Sequence, residues 1–277
     1  MNFMWVREPV AAGQFYEFSK SSLTEQIGNI FKQVKMKKDK KEFQVCIVPH
    51  AGYVYSGPVA AYAYNKIKES DYIILGPNHY GMGSEFALMK KGLWKTPLGL
   101  ISIDENLAEK ILGECDVVEY DVIAHEKEHS IEVQLPFLQY KFGSGFKFLP
   151  ISILNEFAND SLLEKCESLG KYLAGIVEKN KLTVIASSDF SHYVPHELAK
   201  KIDKYLIDAI VKLDVKEFFD RINEKKASAC GFGLIAVAMS VAKNLKCKKG
   251  ELLKYATSGD VTSDFSSVVG YASIIFC

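Results

Sequence analysis

KLTVIASSDFSHYV, residues 181–194, holds an apolar run from Leu182 to Ala186 that stops at Ser187 and Ser188. Short apolar runs of this kind, separated by helical segments, predict a mostly parallel sheet covered on both faces. Beyond the serines the chain places Asp189, Ser191 and His192 within four positions. In open α/β sheets, ligands bind outside the carboxyl ends of the strands. A strand end bearing a carboxylate and an imidazole is therefore a candidate site wall.

Two other predicted strands end in the same way. QVCIV (44–48) runs into Pro49-His50-Ala51-Gly52-Tyr53, and DYIILG (71–76) runs into Pro77-Asn78-His79-Tyr80-Gly81. Three of the six histidines thus lie at equivalent ends of three separate strands, and parallel strands carry them to one crevice. Gly52, Gly76 and Gly81 beside them permit tight turns and close approach of backbone to a ligand. Two neutral imidazoles and one further donor are the usual minimum for a catalytic divalent metal with open positions. Asp189, His192 or a later residue is the candidate third donor. Cys230 competes for that place: it follows the polar turn KKASA and precedes Gly231 and a long apolar helix. A thiol at a helix N-terminus has its thiolate favoured by the unpaired N–H groups.

The rest of the chain alternates in kind. Helices are predicted over 58–69 with Pro58 in the first turn, 104–114 capped by Asp104, and 130–142 kinked at Pro136. Further helices are expected over 158–179, 196–213, 215–226 and 231–245, the last almost wholly apolar and so central. Strands are expected within 85–103 around the turn TPLG, over 146–153, and as a late antiparallel pair, 252–259 and 267–276. The fold class this implies is one α/β domain over 1–277. It is a three-layer sandwich with a mixed, mostly parallel central sheet and helices on both faces.

Composition narrows the partners. Thirty-four Lys+Arg balance thirty-four Asp+Glu in 277 residues, which gives no general reason to expect nucleic acid or an anionic membrane. No apolar run approaches the ~18 residues of a membrane span, and MNFMWVREPV lacks the pattern of a secretion signal. The six cysteines are scattered without a CxxC pair, and Cys46, Cys115 and Cys166 sit in apolar or amphipathic runs; a reducing cytoplasm fits. Six lysines between Lys32 and Lys41 read as a solvated helix end and loop.

Two stretches carry alternative chemistry. HEKEH, His125 to His129, is a literal H-E-x-x-H, which on a helix would present two imidazoles and a general base, as in zinc proteases. Ser130 is a plausible cap for the following helix, which would leave His125 outside it, and no HxxGxxH continuation follows. AAGQFYEF (11–18) sets Phe15 and Tyr16 in a Gly-containing turn, as core aromatics or as a pocket rim.

Taken together, AGQFY (12–16), VPHAGYVYSGPVAA (48–61), LGPNHYG (75–81), WKTPLG (94–99), EHSIEVQLPFL (128–138), SSDFSHY (187–193), CGFG (230–233) and SSVVGYAS (266–273) resemble the Memo family almost end to end. That family is similar in fold to class III extradiol ring-cleaving dioxygenases, which hold non-haem Fe(II) with two histidines and a glutamate. The resemblance implies that His50 and His79 are the metal histidines and that Cys230 is the third ligand, where the dioxygenases have glutamate. It places Asp189 and His192 in the cleft, His192 as the acid/base. It sets Tyr16, Phe15, His129 and Tyr53 on the substrate side, with Phe15 where some members carry tryptophan.

A thiolate is softer than a carboxylate and oxidisable, so Cu or Zn joins Fe(II) among the expected cofactors. The functional expectation is O2-dependent oxidoreductase chemistry on an unknown small molecule. The alternatives are a non-catalytic cleft for a peptide or small anion and, at lower rank, the HExxH protease.

Overall fold

The structure is a computed structural model that describes residues 5–35 and 42–277. The lysines at 37, 38, 40 and 41 therefore lie outside the described residues.

The apolar runs become strands and the amphipathic ones helices. The first half runs β1 (Val6–Arg7), α1 (Lys20–Lys32), β2 (Val45–Val48), α2 (Tyr53–Lys66), β3 (Tyr72–Pro77), β4 (Phe86–Leu88), β5 (Leu93–Thr96), β6 (Gly99–Ile103) and α3 (Glu105–Glu114). Then come β7 (Glu119–Tyr120), α4 (Ile123–Glu126), a 3-10 turn (Glu132–Gln134), α5 (Leu135–Phe142), β8 (Lys147–Ile153), α6 (Asp160–Asn180) and β9 (Thr183–Ser187). The chain closes with β10 (His192–Val194), α7 (His196–Val211), α8 (Val215–Lys225), α9 (Phe232–Asn244), β11 (Gly250–Thr257), α10 (Gly259–Thr262) and β12 (Val268–Phe276).

The centre of the sheet is parallel, in the order β6-β8-β3-β9-β2. Antiparallel partners flank it: β5 on β6, β4 on the end of β8, and β12 on β2, with β10 and β11 pairing β12. Every residue of β2, β3 and β9 is buried, as a strand covered on both faces requires. Along β12 alternate residues meet different helices. The Ser273 hydroxyl accepts from Ala63 N of α2, whereas Gly270 abuts Asp203 of α7. Hence α2, with α1 and α5 packed on it, covers one face. On the other, α9 crosses β2, β3 and β9, with α6 and α8 behind it. Eleven of the thirteen residues of α9 are buried, so the helix is apolar all round because it is the centre of its layer.

Two local readings give way to context. The second helix begins at Tyr53, not near Pro58, so Pro58 lies inside it and one intrahelical bond is forgone. Pro136 falls in the first turn of α5, where its missing N–H has no partner to lose, so it starts that helix rather than kinking it. Asp104 caps α3 as expected, accepting from Leu107 N at 3.2 Å.

Register decides what meets at the strand ends. Val48 pairs with Ser187 and Leu75 with Ala186, so the segments after β2, β3 and β9 emerge at one level. Among the described residues, no helix is long and apolar enough to cross a membrane.

Candidate metal centre

His50 leaves the end of β2 with its backbone N–H donated to Asp189 Oδ1 at 2.9 Å. Its Nδ1 lies 3.1 Å from Ser187 Oγ. That hydroxyl gives its own proton to Ser130 O at 2.7 Å and accepts from Gln134 Nε2 at 2.7 Å. Ser187 can therefore only accept from His50, so Nδ1 carries the proton and Nε2 keeps a lone pair. Burial first, then the neighbouring His79, lowers the His50 pKa to about 3, and the ring is neutral.

His79 follows β3 and is gripped by Glu128. The carboxylate accepts from His79 Nδ1 at 2.9 Å and from its backbone N–H at 2.8 Å. Burial alone would lower this imidazole's pKa, but the Glu128 hydrogen bond overrides it and the net direction is up. Glu128 is fully buried and also accepts from Ser130 N at 2.8 Å. Burial opposes its charge, yet the His79 bond and the two imidazoles hold it well below the usual carboxylate range.

The same carboxylate serves His129, whose Nδ1 is 3.4 Å from Glu128 Oε1. Burial, then His50, lowers the His129 pKa to about 4. Gly76 allows this segment to approach β3: a Cβ there would lie 2.5 Å from Ser130 Oγ and 2.6 Å from Ile131. The result is a group of three, His50, His79 and His129, each offering one ring nitrogen, and these three nitrogens lie within 4.8 Å of one another. His79 and His129 stack at 4.9 Å, and His50 stands edge-on to both, at 5.2 and 5.5 Å. Three imidazoles with Nδ1 turned to other partners keep Nε2 for binding, that of His50 beside the Cys230 sulfur, and this group could hold a metal ion.

Cys230 flanks this group. Its sulfur lies 3.4 Å from His50 Nε2 and accepts from Asp189 N at 3.3 Å. The helix-terminus argument for an easily formed thiolate does not hold. The first N–H groups of α9 are taken by Ser188 Oγ and Asn155 Oδ1. Enclosure, then the Asp189 carboxylate, pushes the thiol up, outweighing the Asp189 N–H and the Ser188 hydroxyl. Asp189 is itself buried, which raises its carboxyl, with the His50 N–H pulling the other way. Its Oδ2 comes within 3.9 Å of His50 Nε2. His192 sits on β10, its Nδ1 2.8 Å from Ser228 O.

Of the residues expected on the substrate side, Phe15 lies against His129, ring centroids 4.3 Å apart. Tyr16 and Tyr53 are buried instead, their hydroxyls donated to Glu132 and to Val133 O at 2.6 Å each, so they support that wall from behind. The H-E-x-x-H reading fails on geometry. Helix α4 ends at Glu126, and the wholly buried His125 packs on Trp94 with Nε2 on Ala87 O at 3.1 Å. His125 and His129 therefore share no helix face.

Sequence reasoning did not single out Glu128, Glu132, Arg7, Gln134 or Ser228 as functional, and read Ser187 only as shaping the turn that aims Asp189 and His192. Arg7 bonds Glu132 at 2.6 Å and donates to Glu128 O. Glu132 also accepts from Val10 N, Ala11 N and Tyr16 OH. That network pins the N-terminal segment that carries Phe15 to the site. The one available signal was that both glutamates flank His129 in EHSIE.

Fold and site together define an α/β protein whose parallel strands deliver a metal-capable imidazole cluster to one sheet end. Residues 7–275 match the family described as Memo-like protein. A MEMO1 family protein of Nitrosopumilus maritimus is 42% identical, covering 98% of this chain and 99% of its own length. One from Methanococcoides burtonii is 45% identical at the same coverage. The chain belongs to the Memo family. Among solved structures, an uncharacterized protein, JW3007, from Escherichia coli K12 shares the fold: TM-score 0.52 at 13% identity, over 76% of this chain and 88% of that one.

Proposed function

We propose that this chain binds one transition metal, iron foremost with copper or zinc as the other ions it admits, and uses it in O2-dependent redox chemistry on a small molecule. The observation that carries the reading is the trio of Nε2-presenting imidazoles with a thiol beside His50. His50 and His79 supply two donors. Cys230 supplies the third when its proton leaves, and His129 is the competing imidazole. Mixed nitrogen and sulfur donors suit iron, copper and zinc alike. A bound iron or copper ion supplies one-electron chemistry and open positions where O2 and a substrate meet.

The chain's own residues do the rest. Glu128 and Ser187 orient the histidines, Asp189 anchors the His50 backbone, and Phe15 screens His129 from water. His192 moves a proton at Nε2 as general acid/base. A reducing cytoplasm fits the six unpaired cysteines.

Elemental analysis of protein purified without oxygen, as wild type and as His50→Ala, His79→Ala and Cys230→Ser, tests the reading. Loss of bound metal is expected in each. Undiminished iron and copper in all three sinks it. Adding His129→Ala decides which third donor is used.

A second reading is a cleft that binds a peptide or small anion without turnover. The exposed Tyr55, Tyr80 and Tyr193, each close in sequence to a site residue, favour it. Metal-free protein that still binds such a ligand and consumes no oxygen would select it.

A further inference from the structure

The loop that leads into α9 is stitched to the connection after β9 at successive points. Gly231 N donates to Ser188 Oγ at 3.0 Å, and Asp189 N to Cys230 Sγ at 3.3 Å. Ser228 takes His192 twice: its Oγ accepts the backbone N–H at 2.8 Å, and its carbonyl lies 2.8 Å from Nδ1. A carbonyl oxygen only accepts, so the Nδ1 of His192 is the donor, and the neutral ring holds its lone pair on Nε2.

The backbone around His192 is bent to allow this. The register of β10 against β12 slips between His192 and Val194, and Tyr193 at the slip has φ +56°. A bulky residue in that region is an outlier, and such strain concentrates at functional sites. The Tyr193 side chain is 79% exposed, so packing of its own ring does not account for the strain. What the bulge achieves is local: it turns Tyr193 outward and leaves the His192 ring on Ser228.

We propose that Ser228 is a positioning residue for His192: it sets the ring's tautomer so that Nε2 is the proton-accepting atom offered to the cleft. Because Ser228 precedes Cys230 by two residues, one short segment holds both the imidazole and the candidate metal thiol. The inference rests on His192 acting as the acid/base group of the proposed site.

The test uses the full-length chain labelled with 15N at histidine, metal-free, at pH about 8, where free imidazoles are neutral. Long-range proton–nitrogen correlations then report the tautomer, with His192→Gln assigning the signal. Wild type is expected to show a protonated Nδ1 and a bare Nε2. Ser228→Ala keeps the carbonyl but loses the hydroxyl anchor. Its His192 nitrogen resonances are expected to move toward each other as the tautomers mix, while Ser228→Thr restores the wild-type pattern. Unchanged His50 resonances certify the fold.

A wild-type ring protonated at Nε2, or a Ser228→Ala spectrum identical to wild type, overturns the proposal. Metal content of Ser228→Ala is expected to stay at the wild-type level, and a loss of metal with an unmoved His192 ring also overturns it. Should His50→Ala, His79→Ala and Cys230→Ser all keep their metal, the metal assignment fails while the tautomer result still stands or falls on its own spectrum.

Discussion

Two polar clusters lie side by side beneath the N-terminal segment, and they are built to opposite rules. Behind the site, Arg7 donates to Glu132, to Glu128 O and to His125 O and stacks its guanidinium over Trp94 at 4.1 Å. Glu132 accepts from three further groups, and almost every polar atom there is consumed by the protein. At the strand ends, one nitrogen of His50 and of His79 is consumed, and one of His129 lies against Glu128; the Nε2 of His50 meets the Cys230 sulfur, while the other nitrogens of His79 and His129 are left over. A closed network holds a fold together, whereas leftover donors invite a ligand. The lesson is to ask of a polar cluster what remains unspent.

The sharpest way to break this comparison is to open the closed cluster. Arg7→Ala strands the buried Glu132 carboxylate and should cost about 3–5 kcal/mol in urea unfolding. A loss under about 1 kcal/mol would mean that the pair contributes no more than a surface one.

His125 gives the next largest effect. It is fully buried with Nδ1 unpartnered, and burial first lowers its pKa from 6.5 to about 4. The unfolded chain takes up a proton below pH about 6.5 that the folded ring refuses. Its contribution is therefore intact above pH 6.5 and is lost as pH falls toward 4, by roughly 3 kcal/mol in all. Stability measured across that window should fall less steeply in His125→Phe, and equal slopes would refute the assignment.

Within the open cluster, Glu128→Gln keeps the shape but removes the charge shared by His79 and His129. Metal affinity should drop roughly 10–100-fold in a competition titration. An unchanged affinity would deny Glu128 any part in presenting those rings.

The smallest effect belongs to neither cluster. Lys141 donates to Tyr64 O and Ile67 O at the carboxyl end of α2, and burial lowers its pKa to about 8. Lys141→Met should cost about 1 kcal/mol and leave metal binding untouched. Altered metal content there would show that stability and site are not separable.

Much of this was legible residue by residue. His50, His79 and His192 directly follow apolar runs or their turns, and parallel strands leave such residues few other places to go. The Asp104 cap and the buried face of α6, from Leu162 to Ile176, follow from local chemistry and period. Pro58 and Pro136 misled because a proline's rule depends on where the helix starts, and packing sets that start.

His125 and His129 show where local reading ends. Four positions apart in one motif, one is sealed under Trp94 and the other joins the imidazole group. The partners that separate them are 38 residues away for His125, at Ala87, and farther still for His129, at His79 and His50. The sequence by itself determined the layered α/β sheet and the end at which its histidines gather, because apolar period and strand-to-loop order are local properties. Only the tertiary structure decided which imidazoles share Glu128 and which tautomer each holds. Those follow from hydrogen bonds between residues that the chain brings together only on folding.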